Sequence, residues 1–289
     1  MFRLISFFLI FSTVFSWAEF THLSYGCEII NLYDFTSFSS SDNWTACSST
    51  VQHKSFLLGA ISPDFFTHFG YLDPSFHCLD YGIFLWNYSQ LSYKSNDPNF
   101  DAYWFSLGFL SHLAEDEIAH YPFSWLYFSD DRELELAADT NEFLLYKSNP
   151  MKRPDIPEGF YDFILKSTNA YVSEIGWWNG FIPPNNSSLQ YTVKKMGEFL
   201  DAEELLIIAN ELIYKEEMKE FDYCKRATQD EALADYNLAK NWSENTFIVL
   251  FQILQNPPQN CQGSIRKCVQ FEFLKDVDVL FQNHGGSIC

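Results

Sequence analysis

The stretch Phe105-Ser-Leu-Gly-Phe-Leu-Ser-His112-Leu-Ala-Glu-Asp116-Glu-Ile-Ala-His120 places a metal-ligating side chain at every fourth residue inside a strongly helical apolar pattern. On an α-helix His112, Asp116 and His120 share one face, because side chains at i and i+4 lie above one another. At a rise of 1.5 Å per residue the two histidines are about 12 Å apart, too far to converge on one ion bound at about 2 Å. Asp116 lies midway between them. The spacing therefore suits two metal positions side by side, one on each histidine, with the Asp116 carboxylate able to reach or bridge both.

The rest of the chain extends the helical reading. Apolar residues recur at three- and four-residue spacing from Phe105 to Ala119, Leu134 to Tyr146, Pro157 to Tyr171, Thr192 to Tyr223 and Asp230 to Leu254, while strand-like alternation is rare. These patterns predict an all-α fold, a single helical domain. The breaks at Thr36 to Ser41, Asn149 to Pro157, Pro183 to Ser188 and Asn256 to Asn260 are short and rich in Pro, Ser or Asn, and none reads as an interdomain linker. With 289 residues, 47% hydrophobic and 19% aromatic, the chain carries far too much apolar surface to stay unfolded. Its net charge of −20 repels polyphosphate partners, which argues against stable binding of nucleic acid.

The first residues, Met1-Phe2-Arg3 followed by an apolar run from Leu4 to Phe15, read as a secretory signal peptide, too short to span a bilayer. Small residues place the cut after Ser16, giving a signal at residues 1–16 and a mature domain at 17–289, or alternatively after Ala18. No other segment is long and apolar enough to be a transmembrane helix. The expected location is outside the cell or in the lumen of the secretory or vacuolar system. Asn43, Asn87, Asn185, Asn186 and Asn241 each open an Asn-x-Ser/Thr glycan acceptor site. The cysteines Cys27, Cys47, Cys78, Cys224, Cys261, Cys268 and Cys289 lack paired C-x-x-C spacing and are expected to form disulfides. Seven is odd, and Cys289 at the end is the natural one to remain unpaired or to pair between chains.

His22, Asp64 and His77 add imidazole and oxygen donors in apolar or turn-like contexts: Thr21-His22-Leu-Ser-Tyr-Gly26, Gly59-Ala-Ile-Ser-Pro63-Asp64 and Phe76-His77. Neutral imidazole with carboxylate and no thiolate favours zinc, with manganese or iron as alternatives. Taken in order with Gly108-Phe-Leu-Ser-His112-Leu-Ala-Glu-Asp116-Glu-Ile-Ala-His120, these segments resemble the zinc-dependent phospholipase C fold, which includes single-strand-specific zinc nucleases. The catalytic domain of glycosylphosphatidylinositol-specific phospholipase D looks most similar, over about residues 17 to 146.

The resemblance implies two or three zinc ions. One would be held by Asp64, His77, His112 and Asp116; a second by His120 with later acids; a third by His22, Asp116 and the mature N-terminus, which is Trp17 if the signal is cut after Ser16. The family's second site is completed by a His-x-x-x-Glu/Asp-x-x-x-Asp run, and the best match is Asp131-Arg-Glu-Leu-Glu135-Leu-Ala-Ala-Asp139. Asp131 stands where the family has His, which makes that site richer in oxygen and suited to a harder ion. The implied activity is hydrolysis of a phospholipid or glycosylphosphatidylinositol headgroup phosphodiester by metal-activated water, with transient contact at a membrane surface and Asp64 as the catalytic base. Two other readings compete. A single-strand zinc nuclease shares the cluster, but in those nucleases a further His follows the aspartate at two residues, whereas here His120 follows Asp116 at four. A secreted metal-binding protein without turnover would accommodate Asp131 in the His position.

Overall fold

The computed structural model describes residues 19–33, 47–67, 77–118, 152–175, 184–198 and 229–258, together with Asp139, Glu142, Asp201, Arg266, Cys268, Val269, Glu272, Phe273 and Lys275. Its elements are α1 (Glu19–Tyr33), α2 (Val51–Ile61), α3 (Pro63–Thr67), α4 (Leu79–Leu91), α5 (Ala102–Ile118), α6 (Glu158–Ile175) and α7 (Gln229–Gln255), with helical residues also at 186–198. The fold is all-α, and there is no strand among the described residues. The expected helices at Phe105 to Ala119, Pro157 to Tyr171 and Asp230 to Leu254 correspond to α5, α6 and α7. The expected break at Pro183 to Ser188 is shorter than predicted, because Asn185 already caps a helix: its Oδ1 accepts from the Ser188 amide at 2.9 Å while Ser188 Oγ accepts from the Asn185 amide at 3.0 Å.

At the centre lies α5, packed against α2, α4 and α7, while α1 packs on α2 and α6 on α4. Residues all round α5 are buried, including its polar ones. Only Tyr103, Trp104 and Glu117 of this helix are half-buried rather than buried, and its serines satisfy themselves locally: Ser106 and Ser111 donate to the carbonyls of Ala102 and Gly108 at 2.7 and 2.8 Å. The abundant phenylalanines build the adjoining core. Phe105 meets Phe160 and Phe163 edge-on at 5.5 and 5.7 Å between ring centroids, the arrangement favoured by ring quadrupoles.

Two glycines let α2 and α5 touch backbone to backbone. A Cβ on Gly59 would overlap the Phe105 carbonyl oxygen, and one on Gly108 would overlap that of Phe56. Both belong to the quoted motifs, in which each precedes a metal-ligating residue by four or five positions. Pro63 then opens α3 at a position where its missing N–H costs nothing, which sets Asp64 in the first turn.

The start of α1 is fastened from a distance. Asp139 accepts from the Phe20 amide at 3.1 Å, the Thr21 amide at 2.9 Å and the Thr21 hydroxyl at 2.7 Å, satisfying helix N-terminal donors that have no intrahelical partner. The Arg153 guanidinium donates to both Glu19 oxygens, at 2.7 and 3.1 Å. A disulfide joins Cys27 to Cys47 and ties α1 to the segment entering α2. Cys268 is also disulfide-bonded, whereas Cys78 carries a thiol. Cys289 lies outside the described residues, as do Cys224 and Cys261.

Candidate metal centre

Five of the expected ligands meet at one place, where α1, α3, α5 and the turn before α4 converge. His22 comes from α1, Asp64 from α3, His77 from the residues leading into α4, and His112 and Asp116 from successive turns of α5. The Nε2 atoms of His77 and His112 are 3.0 Å apart, and Asp116 Oδ2 lies 3.0 Å from the first and 3.1 Å from the second. Asp64 Oδ1 closes the group at 3.7 Å from His77 Nε2 and 3.6 Å from His112 Nε2. The other Asp116 oxygen, Oδ1, faces His22 Nε2 at 3.7 Å.

These spacings test whether an ion fits. Four ligands about 2 Å from a tetrahedral ion lie about 3.3 Å from one another, and the contacts among Asp64, His77, His112 and Asp116 bracket that value. The buried Nε2 of His22 has no hydrogen-bond partner. An unmet acceptor so deep is costly unless a cation meets it. Imidazole and carboxylate without thiolate suit zinc. His112 can serve either of two groups, Asp64 with His77 or His22 with Asp116, and Asp116 offers one oxygen to each side.

Each inner imidazole is aimed from behind. His112 Nδ1 donates to the Ala60 carbonyl at 2.7 Å, and His22 Nδ1 donates to Glu115 Oε2 at 2.7 Å. With Nδ1 occupied, Nε2 is the nitrogen presented to the centre. The two rings stack at 3.8 Å between centroids. Sequence reasoning passed over both supports. A backbone carbonyl has no letter of its own, but Glu115 lies three residues after His112 and beside Asp116, on the helical face already singled out.

Proton affinities follow the crowding. Burial and the neighbouring His112 lower His22 to about 3, so its ring is neutral. Burial also disfavours a charged His77, but hydrogen bonds and charge from Asp116 and Asp64 outweigh it and carry His77 up to about 10. Burial pushes Asp116 up, yet the His112 and His77 contacts win and hold its carboxyl well below the ordinary carboxylate range.

Asp139 stands apart from these five. Both its oxygens accept hydrogen bonds from the first turn of α1, one residue before His22, and burial pushes its carboxyl up to about 7. Trp17, His120, Asp131 and Glu135 lie outside the described residues. So do Asn43 and the expected signal cleavage sites. Asn185, Asn186 and Asn241 are exposed, and Asn87 is half-buried on α4. No described helix is long and apolar enough to cross a membrane. His53 is buried in α2, and Phe65 is part of the core.

Residues 36–174 match the family model described as zinc dependent phospholipase C, which supports the resemblance read from the motifs. The matched region holds Asp64, His77, His112 and Asp116, begins after His22, and reaches through most of α6, farther along the chain than the motifs alone suggest. No curated protein and no solved structure matches the chain.

Proposed function

We propose that the protein is a secreted, zinc-dependent phosphodiesterase that hydrolyses a phospholipid or glycosylphosphatidylinositol headgroup at a membrane surface, using two or three zinc ions. The observation that carries this reading is the convergence of Asp64, His77, His112 and Asp116 at the spacing of one ion's coordination edges, with His22 facing the other oxygen of Asp116. Bound there, zinc would supply Lewis acidity, acidifying water and neutralising charge on the phosphate. His22 and His112 are wholly buried and close the inner side, while His77 and Asp64, 19% and 13% exposed, form the edge open to water and substrate. The exposure of Asp64 supports its role as the base that accepts the proton of the attacking water, and the contacts of Asp116 support its orienting His77 and His112. A net charge of −20 disfavours the nuclease alternative. The Cys27–Cys47 disulfide supports passage through an oxidising compartment.

The test pairs elemental mass spectrometry of the signal-cleaved protein with hydrolysis of bis-p-nitrophenyl phosphate and of phosphatidylinositol, with and without chelator. Two or three zinc ions per chain and chelator-sensitive turnover are expected, and product analysis assigns the bond cleaved. Asp64→Asn should fold normally and lose about a hundredfold or more in rate, the usual contribution of a general base. Less than one ion per chain after zinc loading, with no turnover, overturns the reading; a near-native rate for Asp64→Asn removes Asp64 from the role of base.

A further inference from the structure

Glu115 is a wholly buried carboxylate that no motif of the chain requires. Its side chain has no exposure, and neither has that of His22, whose Nδ1 it meets at 2.7 Å. A carboxylate taken fully out of water costs several kcal/mol unless strong partners meet it. This one stands directly behind a ring whose other nitrogen is buried without a hydrogen-bond partner and faces Asp116. His112 shows the contrast: the atom behind its Nδ1 is the neutral carbonyl of Ala60. One of the two stacked imidazoles is thus backed by a dipole and the other by an acid. An acid behind a ligating histidine fixes the ring's orientation and makes its outward nitrogen a better donor to a cation.

We propose that Glu115 is a positioning residue for His22, setting how tightly a divalent cation is held on the His22–Asp116 side of the centre without itself touching the ion. The inference rests on the metal-centre reading above and adds an asymmetry to it. The His22 side depends on a carboxylate one layer back, whereas His112, which both sides share, is backed by a neutral carbonyl. Glu115 lies on α5 between His112 and Asp116, so one helix carries ligands and support together, while His22 arrives from α1. The contact therefore also sets how α1 docks at the centre.

The experiment is a zinc titration of the full chain by calorimetry, with ion counts by elemental mass spectrometry and Co(II) absorption as the spectroscopic readout, for the wild-type protein, Glu115→Gln, Glu115→Ala and His22→Ala. Gln keeps an acceptor for the His22 Nδ1–H in nearly the same volume, so Glu115→Gln is the variant that remains folded if the alanine does not. The expected result is that one ion binds about ten- to hundredfold more weakly in Glu115→Gln and its Co(II) band moves, while the remaining affinity is unchanged. Glu115→Ala should weaken the same ion further, towards its complete loss in His22→Ala. A merely structural role would lower the melting temperature without changing the ratio of the two affinities. Unchanged affinities in Glu115→Gln, or a loss shared equally by all ions, overturns the proposal while leaving the metal centre standing. A wild-type chain that takes up no zinc overturns both.

Discussion

His77 and Asp116 show at the scale of single residues how the metal-free centre stays intact. Three histidines and two aspartates in one buried place would repel or strand one another if each kept its ordinary charge. Instead Asp116 is held ionised and His77 protonated, opposite charges in contact at 3.0 Å. Zinc requires the neutral imidazole, so binding must expel that proton. At pH 7.5, between the free value of 6.5 and the folded value of about 10, His77 should release about one proton per chain. Calorimetric zinc titrations in buffers of different ionisation heat measure this directly, and the release should vanish in His77→Ala. His22, already neutral, should add nothing. These candidate ligands were legible in the sequence because ligating residue types recurred at helical spacing or in short turn motifs. Glu115 was not, because an acid beside other acids on a helix ordinarily faces water, and only the tertiary fold shows that this one has none. Thr21 was read as part of a motif, but its reason, the hydroxyl bond to Asp139, spans more than a hundred residues of chain.

At the scale of elements, the crossing of α2 and α5 sets the spacing of the centre. Gly108 lies one turn before His112, and Gly59 lies next to Ala60, whose carbonyl orients that same His112. The distance between these two backbones is therefore the distance over which the histidine is aimed. A methyl group at Gly108 would collide with backbone atoms of Phe56, which cannot swing aside as a side chain can. Gly108→Ala should thus cost about 3 kcal/mol or more, at the upper end of overpacking effects, and should weaken zinc binding in whatever protein folds. Gly26→Ala, where the nearest neighbour is a leucine methyl at 3.0 Å, should cost less and leave the zinc affinity near wild type. Chemical denaturation and zinc titration of the two variants check the contrast. The glycines were visible in the sequence as motif positions, but their purpose was not. Helices α1, α2 and α4 were missed by periodicity for a related reason. Packed on most sides, they carry apolar residues nearly all round and offer no amphipathic stripe to detect.

Across the whole molecule, the centre joins parts of the chain that are distant in sequence, so occupancy should govern global stability. His22 on α1, Asp64 on α3, His77 before α4 and the α5 pair form two adjoining groups of candidate ligands that share His112, and a ligand that binds only the folded arrangement stabilises it by mass action, about 2.7 kcal/mol per site at a hundred times its dissociation constant. Chelation should lower the melting temperature. The size of the drop depends on pH with a sign that His77 fixes. In the metal-free protein its folded pKa of about 10 exceeds the free value of 6.5, so its ion pairs stabilise the fold fully below pH 6.5 and progressively less as pH rises toward 10. With zinc bound that loss is absent, because the proton has already been expelled, and the affinity of the folded chain for zinc rises as the competing proton becomes scarcer. The difference in melting temperature between zinc-loaded and chelated protein should therefore widen from pH 6.5 to pH 9. His77→Ala should flatten that widening even where it retains some zinc. Differential scanning calorimetry at fixed free zinc and at fixed chelator measures both curves, and a gap that stays constant or narrows with pH would show that His77 is not the group through which proton and metal compete.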